Sequence, residues 1–261
     1  MQFLKEAAGI VRQYYSYLLT GVGYTMLLAL VGTVAGFCIG LLTGVVRTAP
    51  KSRNAVVRTL HSVVNALIAV YIEVFRSTPM MVQAMVIFWG FALINNGVTL
   101  NVVFAGLFIV SINTGAYMAE IVRGGIISVS KGQFEGAHAI GMTHAQTMFY
   151  VVIPQVLRNI LPSVANEFVI NIKDTSVLNV IGFTELYFVA YTINSINYQT
   201  FATYLLVAII YFVLTFTITR ILRLIEKKMD GKKNYTVQGS QNMDADSILR
   251  EQTAAGGNGN D

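Results

Sequence analysis

The residues that could do chemistry are few and lie in unexpected places. Glu167 falls inside an apolar stretch, with Asn171 four positions on and so on the same helix face, while Asn166 points elsewhere. An acid in such a stretch is costly unless it faces a partner or water, so Glu167 and Asn171 are candidates for lining a polar pathway. The competing reading is an interhelical bond or ion pair that fixes packing. Lys173, Asp174 and Thr175 follow directly and read, by themselves, as an exposed outer loop or a local ion pair worth little. Asn113, Thr114 and Tyr117 share part of one helix face and carry the same two readings, pathway lining or interhelical hydrogen bonds. Glu73 and Arg76, and again Glu120 and Arg123, stand three apart, the spacing of an intrahelical ion pair. Glu73 and Arg76 precede Pro79 and are gate or brace candidates. Glu120 and Arg123 are expected to anchor a cytoplasmic helix end.

Enzymatic chemistry finds little support. His61, His138 and His144 are scattered, and the six-residue gap between the last two suits no shared metal on a helix, so no metal and no cofactor are expected. No motif brings a nucleophile and a base together. No Gly-x-x-x-x-Gly-Lys-[Ser/Thr] run occurs, since the Gly-Lys pair at Gly231 lacks the preceding glycine. A P-loop is therefore excluded, and any work this chain performs must draw on a partner or an ion gradient.

The elements that position these residues follow from the charge distribution. The chain has 261 residues, 54% hydrophobic and 12% charged, against about 25% charged in soluble domains. No Asp, Glu, Lys or Arg occurs between Arg12 and Arg47, between Arg76 and Glu120, or between Glu185 and Arg220. A bilayer core needs roughly 20 apolar residues in a helix, so these windows hold transmembrane spans. The first, 17–46, carries Gly32, Gly36, Gly40 and Gly44, a spacing that lets helices approach closely. Lys5, Glu6 and Arg12 precede it with no cleavage-like site after, so no removable leader is expected.

The net charge of +5 would raise nucleic acid as a partner for a soluble protein. Here the basic residues sit between apolar windows and read as topology signals, so no nucleic-acid partner is expected. Arg47, Lys51, Arg53 and Arg58 mark one cytoplasmic stretch, Arg123 and Lys131 a second, and Arg220 to Lys233 a third. An even number of crossings must separate each pair. Three apolar segments lie between Arg58 and Arg123, so one is not an independent span. The segment 60–75 carries His61, Asn65 and Glu73 and is followed by Pro79, so it is expected to be an interfacial or partly embedded helix. Spans two and three are then 80–94 and 102–121. Spans four and five are 152–172 and 201–222. The expected fold is an all-α polytopic membrane domain over 1–230 with about five transmembrane helices, N-terminus outside and C-terminus cytoplasmic. The polar tail 231–261 is expected to be disordered.

Residues 130–154 are too polar at their start to span, yet lie between two spans. Good helix formers at 133–140, flanked by Gly132 and Gly141, describe a short cytoplasmic helix followed by a sharp turn. It is shaped either to dock in a partner's groove or simply to lie at the membrane interface.

The segment resembles the cytoplasmic signature of permeases in binding-protein-dependent ATP-binding-cassette importers: Glu-Ala-Ala, three residues, Gly, nine residues, Ile-x-Leu-Pro. This chain has Glu135-Gly136-Ala137, Gly141 and Val151-Val152-Ile153-Pro154 at that spacing. Gly136 for Ala loosens the helix slightly. The stretches Tyr71 to Pro79, Gly115 to Gly125, Lys131-Gly132-Gln133, Pro154-Gln155, Arg158-Asn159 and Lys173 to Ser176 resemble the polar amino-acid permeases of that class, which serve histidine, glutamine, arginine and glutamate. The similarity covers roughly residues 14 to 226. It implies a type I importer permease fold in a bacterial cell membrane, a coupling helix at Glu135 to Gly141, and a structural or gating role close to the substrate pathway for Lys173, Asp174 and Thr175. It also implies two ATP-binding cassette subunits, a second permease subunit, identical or homologous, an extracytoplasmic solute-binding protein and a polar amino-acid substrate. The alternative is an ion-gradient-coupled secondary transporter, which would usually show internal repeats that this sequence lacks.

Overall fold

A computed structural model describes residues 2–50 and 54–229, so the expected tail 231–261 lies outside the described residues. All regular structure described is helical. In chain order the helices are α1 (Gln2–Thr48), α2 (Ala55–Ser77), α3 (Met80–Ile94), α4 (Val102–Ser128), α5 (Lys131–Ala139), α6 (His144–Thr147), α7 (Ile153–Asp174), α8 (Leu186–Asn197) and α9 (Thr200–Met229). A π-helical turn, Met148–Val152, joins α6 to α7, and a 3-10 turn, Thr175–Ile181, extends α7. Five segments are long and apolar enough to cross a membrane: Lys5–Thr48, Ala55–Ser77, Val102–Ser128, His144–Ile181 and Thr200–Lys228.

The central contact is α1 against α4. A Cβ added at Gly36 would stand 2.8 Å from the Thr114 Cβ, and one at Gly44 would stand 2.9 Å from the Val122 Cβ. Gly32 faces Val110 and Gly40 faces Met118 in the same way. Equal steps along both helices mean that α1 and α4 run parallel, and the glycine stripe lets their backbones meet. The long α1 leaves helical geometry at Tyr14 (φ −117°, ψ 18°).

Helix α2 runs back against this pair. His61 Nε2 lies 3.0 Å from the Val46 carbonyl near the end of α1, whereas the Tyr71 hydroxyl donates to the Ile112 carbonyl (2.6 Å), about midway along α4. Pro79 lacks an N–H and holds Thr78 extended (φ −119°, ψ 145°), which stops α2. Helix α3 then continues in the same sense, its Ala84 and Phe88 packing in one cluster with Ala105 and Ile109 of α4. Together α2 and α3 make one interrupted crossing. This corrects the expectation for 60–75. Ala55–Ser77, with 23 residues, is the helix long enough to span, while Met80–Ile94, with 15, is the short one. The polar residues that suggested an interface are satisfied only in part, since His61 Nε2 serves either the Val46 carbonyl or the Asn65 amide and the buried Asn65 Oδ1 has no partner among the described residues. The Asn65 amide lies 3.2 Å from the His61 ring, which in turn reaches the Val46 carbonyl.

Three apolar clusters hold the bundle. One joins α1, α3 and α4 to Leu178, Ile181 and Phe183 after α7. The second joins α1, α8 and α9. The third joins the end of α4 to Met148, Val152, Val156 and Ile160. It seats the short helices α5 and α6 at the end of the bundle where α1 and α4 finish.

Candidate functional site

At that end α5 lies with Ala137 buried and Phe134 half-buried against the third cluster, while Glu135, Gly136 and His138 are exposed. The Gln133 side chain accepts from Gln155 (3.2 Å), tying α5 to the start of α7. The helix ends in a two-bond turn. Gly141 N–H donates to the His138 carbonyl (3.0 Å) and Met142 N–H to the Ala137 carbonyl (3.1 Å). Gly141 sits at φ +82°, where a side chain is strained. Thr143 and Gln146 then form a reciprocal cap that starts α6, and Pro154 enters the first turn of α7. The result is a rigid projection. Its exposed side carries Glu135, Gly136 and Gly141, with the large apolar side chains Ile140, Phe149 and Tyr150 also exposed nearby in the chain.

Just inside this projection Glu120 binds two arginines from two helices. Arg123 Nη2 lies 2.8 Å from Glu120 Oε2, and Arg47 at the end of α1 meets Glu120 Oε1. The bracket ties the α1 and α4 ends together beneath the projection. Sequence spacing suggested Arg123 alone as the partner; Arg47, 73 positions away, carries no local signal.

Midway along the spans lies a polar layer. Asn171 of α7 accepts from the Thr114 hydroxyl of α4 (3.1 Å) and donates to the Thr33 hydroxyl of α1 (2.9 Å), which joins three helices. Asn113 donates to the Gln83 side-chain carbonyl (2.8 Å). The Gln83 amide in turn takes the Phe75 and Thr78 carbonyls, both at 2.9 Å, which the broken helix leaves without helical partners. Thr114, Asn113 and Asn171 are thus committed to interhelical bonds. Tyr117 lies under the Arg76 guanidinium, 5.6 Å from ring centroid to Cζ. Glu73 accepts from Ser77 (3.3 Å) and makes no ion pair with Arg76 among the described residues. Glu73 and Arg76 lie near the break of the α2–α3 crossing, at the depth of Asn113 and Tyr117.

Glu167 is 8% exposed, with Arg76 and Asp174 the charged groups acting on it. It shares the buried face of α7 with Asn171. Lys173 and Asp174 are exposed. The structure thus brings Glu167, Asp174, Arg76 and Tyr117 into one layer, leaves Glu120 and Arg123 below it, and sets Glu135 to Pro154 apart at the bundle end.

At the opposite end the fully buried Glu185 caps α8. It accepts from the Tyr187 and Phe188 N–H groups, both 2.7 Å, and from the Tyr211 hydroxyl of α9 (2.9 Å). Leu186 N–H donates to the Thr25 hydroxyl of α1 (3.1 Å). Burial pushes the Glu185 carboxyl up to about 7 against the opposing pull of the three hydrogen bonds. Sequence reasoning passed over this residue; an acid directly before a helical run is the capping signal that could have found it.

A five-span helical bundle with a polar middle layer and a structured projection at one end defines a polytopic membrane protein. The chain belongs to the family described as the binding-protein-dependent transport system inner membrane component, whose profile matches residues 36–231. Among its relatives, the glutamine transport system permease protein GlnP of Escherichia coli K12 is 34% identical over 212 residues, covering 81% of this chain and 92% of that protein. The L-cystine transport system permease protein TcyB of Bacillus subtilis 168 is 34% identical over 222 residues, covering 85% and 90%. A crystal structure of an amino acid ABC transporter with histidines matches with a TM-score of 0.71 at 36% identity, covering 84% of this chain and 96% of that one. The inward-facing MetNI methionine ABC transporter matches with a TM-score of 0.63 at 22% identity, a likeness of fold alone.

Proposed function

We propose that this chain is the membrane-spanning permease subunit of an ATP-driven importer of a polar amino acid. The observation that carries the reading is the projection Glu135 to Gly141, held by Ala137 and Phe134 but exposed on its other side, at one end of a bundle of this family. Relatives named for glutamine and cystine transport support the substrate class.

In this reading the projection lies in the cytosol and the N-terminus lies outside. A second permease subunit completes the pathway. Two ATP-binding subunits each take one projection, and an external solute-binding protein delivers the amino acid at the far end. Closure of the ATPase pair pushes the projection. Its attachment through the third apolar cluster to α4 and α7 passes the movement to the helices that carry the polar layer. This chain carries no P-loop, so hydrolysis belongs to the partner. The break between α2 and α3 and the Glu73, Arg76 and Pro79 side chains around it serve as the flexing point of that crossing.

The test is uptake by the reconstituted complex. Glu135→Lys reverses an exposed charge, and Gly141→Asp strains the turn by roughly 1–2 kcal/mol. Both are expected to cut ATP-driven uptake at least tenfold and to weaken ATPase co-purification while the subunit still inserts. Normal uptake in both variants would remove the projection as the contact, and uptake driven by a sodium or proton gradient alone would replace the importer with a secondary transporter.

A further inference from the structure

The break in the α2–α3 crossing leaves backbone groups to be met. Thr78 (φ −119°, ψ 145°) and Pro79 (φ −63°, ψ 135°) are both extended. The Phe75 carbonyl would take the N–H of residue 79, which proline lacks. The Thr78 carbonyl would take that of Val82, which donates to the Pro79 carbonyl instead (3.0 Å). In a membrane such carbonyls need partners inside the protein. One side chain supplies them. The buried Gln83, near the start of α3, places its amide nitrogen 2.9 Å from the Phe75 carbonyl, the Thr78 carbonyl and the Thr78 hydroxyl oxygen. Carbonyl oxygens can be met only by a donor, which fixes the orientation of the amide. Its side-chain oxygen then accepts from Asn113 of α4 (2.8 Å), whose nitrogen also reaches the Phe75 carbonyl (3.4 Å). Gln83 is the only side chain of α3 able both to donate and to accept such bonds.

Both halves of the crossing pack on α4, α2 through the Tyr71 to Ile112 bond and α3 through Ala84 and Phe88 against Ala105 and Ile109. The extended residues between them allow the angle between the halves to change. Gln83 bridges that joint, with bonds to α2 on one side and to α4 on the other. The amide carries two hydrogens for three nearby acceptors. The Thr78 hydroxyl is already tied back to the Val74 carbonyl (2.7 Å), so the two free carbonyls take both hydrogens. Bonds from one nitrogen to carbonyls three residues apart hold only over a narrow range of bend, because hydrogen bonds weaken steeply with distance and angle. We propose that Gln83 is the positioning residue of the interrupted crossing, a latch that ties the end of α2 to α4 through Asn113 and holds the bend seen here until movement of the bundle opens it. The proposal rests on the importer reading and deepens it, naming the side chain that sets how readily the α2–α3 crossing flexes.

The experiment uses the full complex in vesicles, with Cys38→Ser and with spin labels on Leu67→Cys in α2 and Leu93→Cys in α3, both exposed positions. The labelled chain is diluted with unlabelled copies so that pairs within one chain dominate. Double electron–electron resonance then reads the separation of the two halves without nucleotide and with ATP trapped by vanadate. The background complex is expected to show two separations whose ratio changes with nucleotide. Gln83→Met keeps the length of the side chain and loses the amide, whereas Asn113→Leu removes the tie to α4. Each should move the nucleotide-free ratio by about threefold or more, away from the separation in this structure. The double variant should move it no further than the larger single, because both act through one bond. A side chain that only fills space would lower the thermal midpoint and leave the ratio where it was. Should Gln83→Met fail to insert, Asn113→Leu decides alone, since Gln83 then keeps its bonds to α2. One unchanging separation at every nucleotide state overturns the proposal, and so does a smaller shift in the variants or an additive effect in the double. Uptake of labelled L-glutamine, L-cystine, L-histidine, L-arginine and L-glutamate is recorded in the same vesicles. Absent ATP-driven uptake counts against the importer, whereas normal uptake with an unmoved ratio counts against the latch alone.

Discussion

A buried acid shows how one side chain can tie three helices and still carry a cost. Glu185 caps α8, accepts from Tyr211 of α9, and stands beside the Leu186 to Thr25 bond that reaches α1. Its carboxyl is raised to about 7 because burial outweighs its hydrogen bonds. A raised carboxyl binds its proton more tightly folded than unfolded. Its contribution is therefore complete below about pH 4.5 and is lost as pH rises through about 7. Glu185→Gln is expected to flatten that fall. The thermal midpoint of the solubilised protein, followed from pH 5 to 8, should decline more steeply in the wild type than in the variant. The variant should also lose about 1 kcal/mol at low pH from the weakened cap. Equal pH slopes in both proteins would show that Glu185 does not titrate in this range.

The residues of the middle layer teach a different lesson. Asn113, Thr114 and Asn171 were open to two readings from sequence, pathway lining or packing, and each makes an interhelical hydrogen bond. Gln83 and Thr33 complete those bonds. Nothing in the apolar surroundings of either residue announces a partner 30 or 138 positions away.

For the elements, the glycine stripe of α1 decides how close α1 and α4 come. A Cβ at Gly40 would press against Met118 and stand 2.8 Å from the backbone nitrogen of Ala119, which has no flexible end to yield. Gly40→Ala is expected to cost about 1–3 kcal/mol through overpacking, read as a lower midpoint of thermal unfolding in detergent. Gly23→Ala, where the added carbon meets nothing, serves as the control and should be nearly neutral. The stripe was visible in the sequence as four-residue spacing; its partner was not, because spacing describes one helix and says nothing of which other helix fills the groove. The interrupted crossing is the converse case. Pro79 marked the break correctly, but the rule that counts polar residues against a span misjudged α2, whose 23 residues are long and apolar enough to cross despite His61 and Asn65.

Taken whole, the molecule has two ends of opposite character, an exposed projection beyond the Glu120 bracket and a buried carboxylate knot under α8. With Cys38 replaced by serine, single cysteines introduced at Glu135 and at Asn96 in the α3–α4 turn should label from opposite sides of the membrane in intact cells and inverted vesicles. Position 135 is expected to react from the cytosolic side. External labelling of position 135 would invert the topology and remove the importer reading with it.

By itself the amino-acid sequence determined that the chain spans a membrane several times, that its helices are punctuated at Pro79 and Gly141, and that one polar segment between spans is a short helix with a family signature. These are local properties: charge-free runs, missing N–H groups and spacing along a single helix. Only the tertiary structure decided that α2 and α3 share one interrupted crossing, that Arg47 joins Glu120, that Asn171 binds two helices at once, and that Lys173 and Arg220 line one cavity. Each of these depends on how helices far apart in the chain rotate and slide against one another. Close packing along the glycine stripe and the three apolar clusters settles that choice, and no periodicity within one helix encodes it.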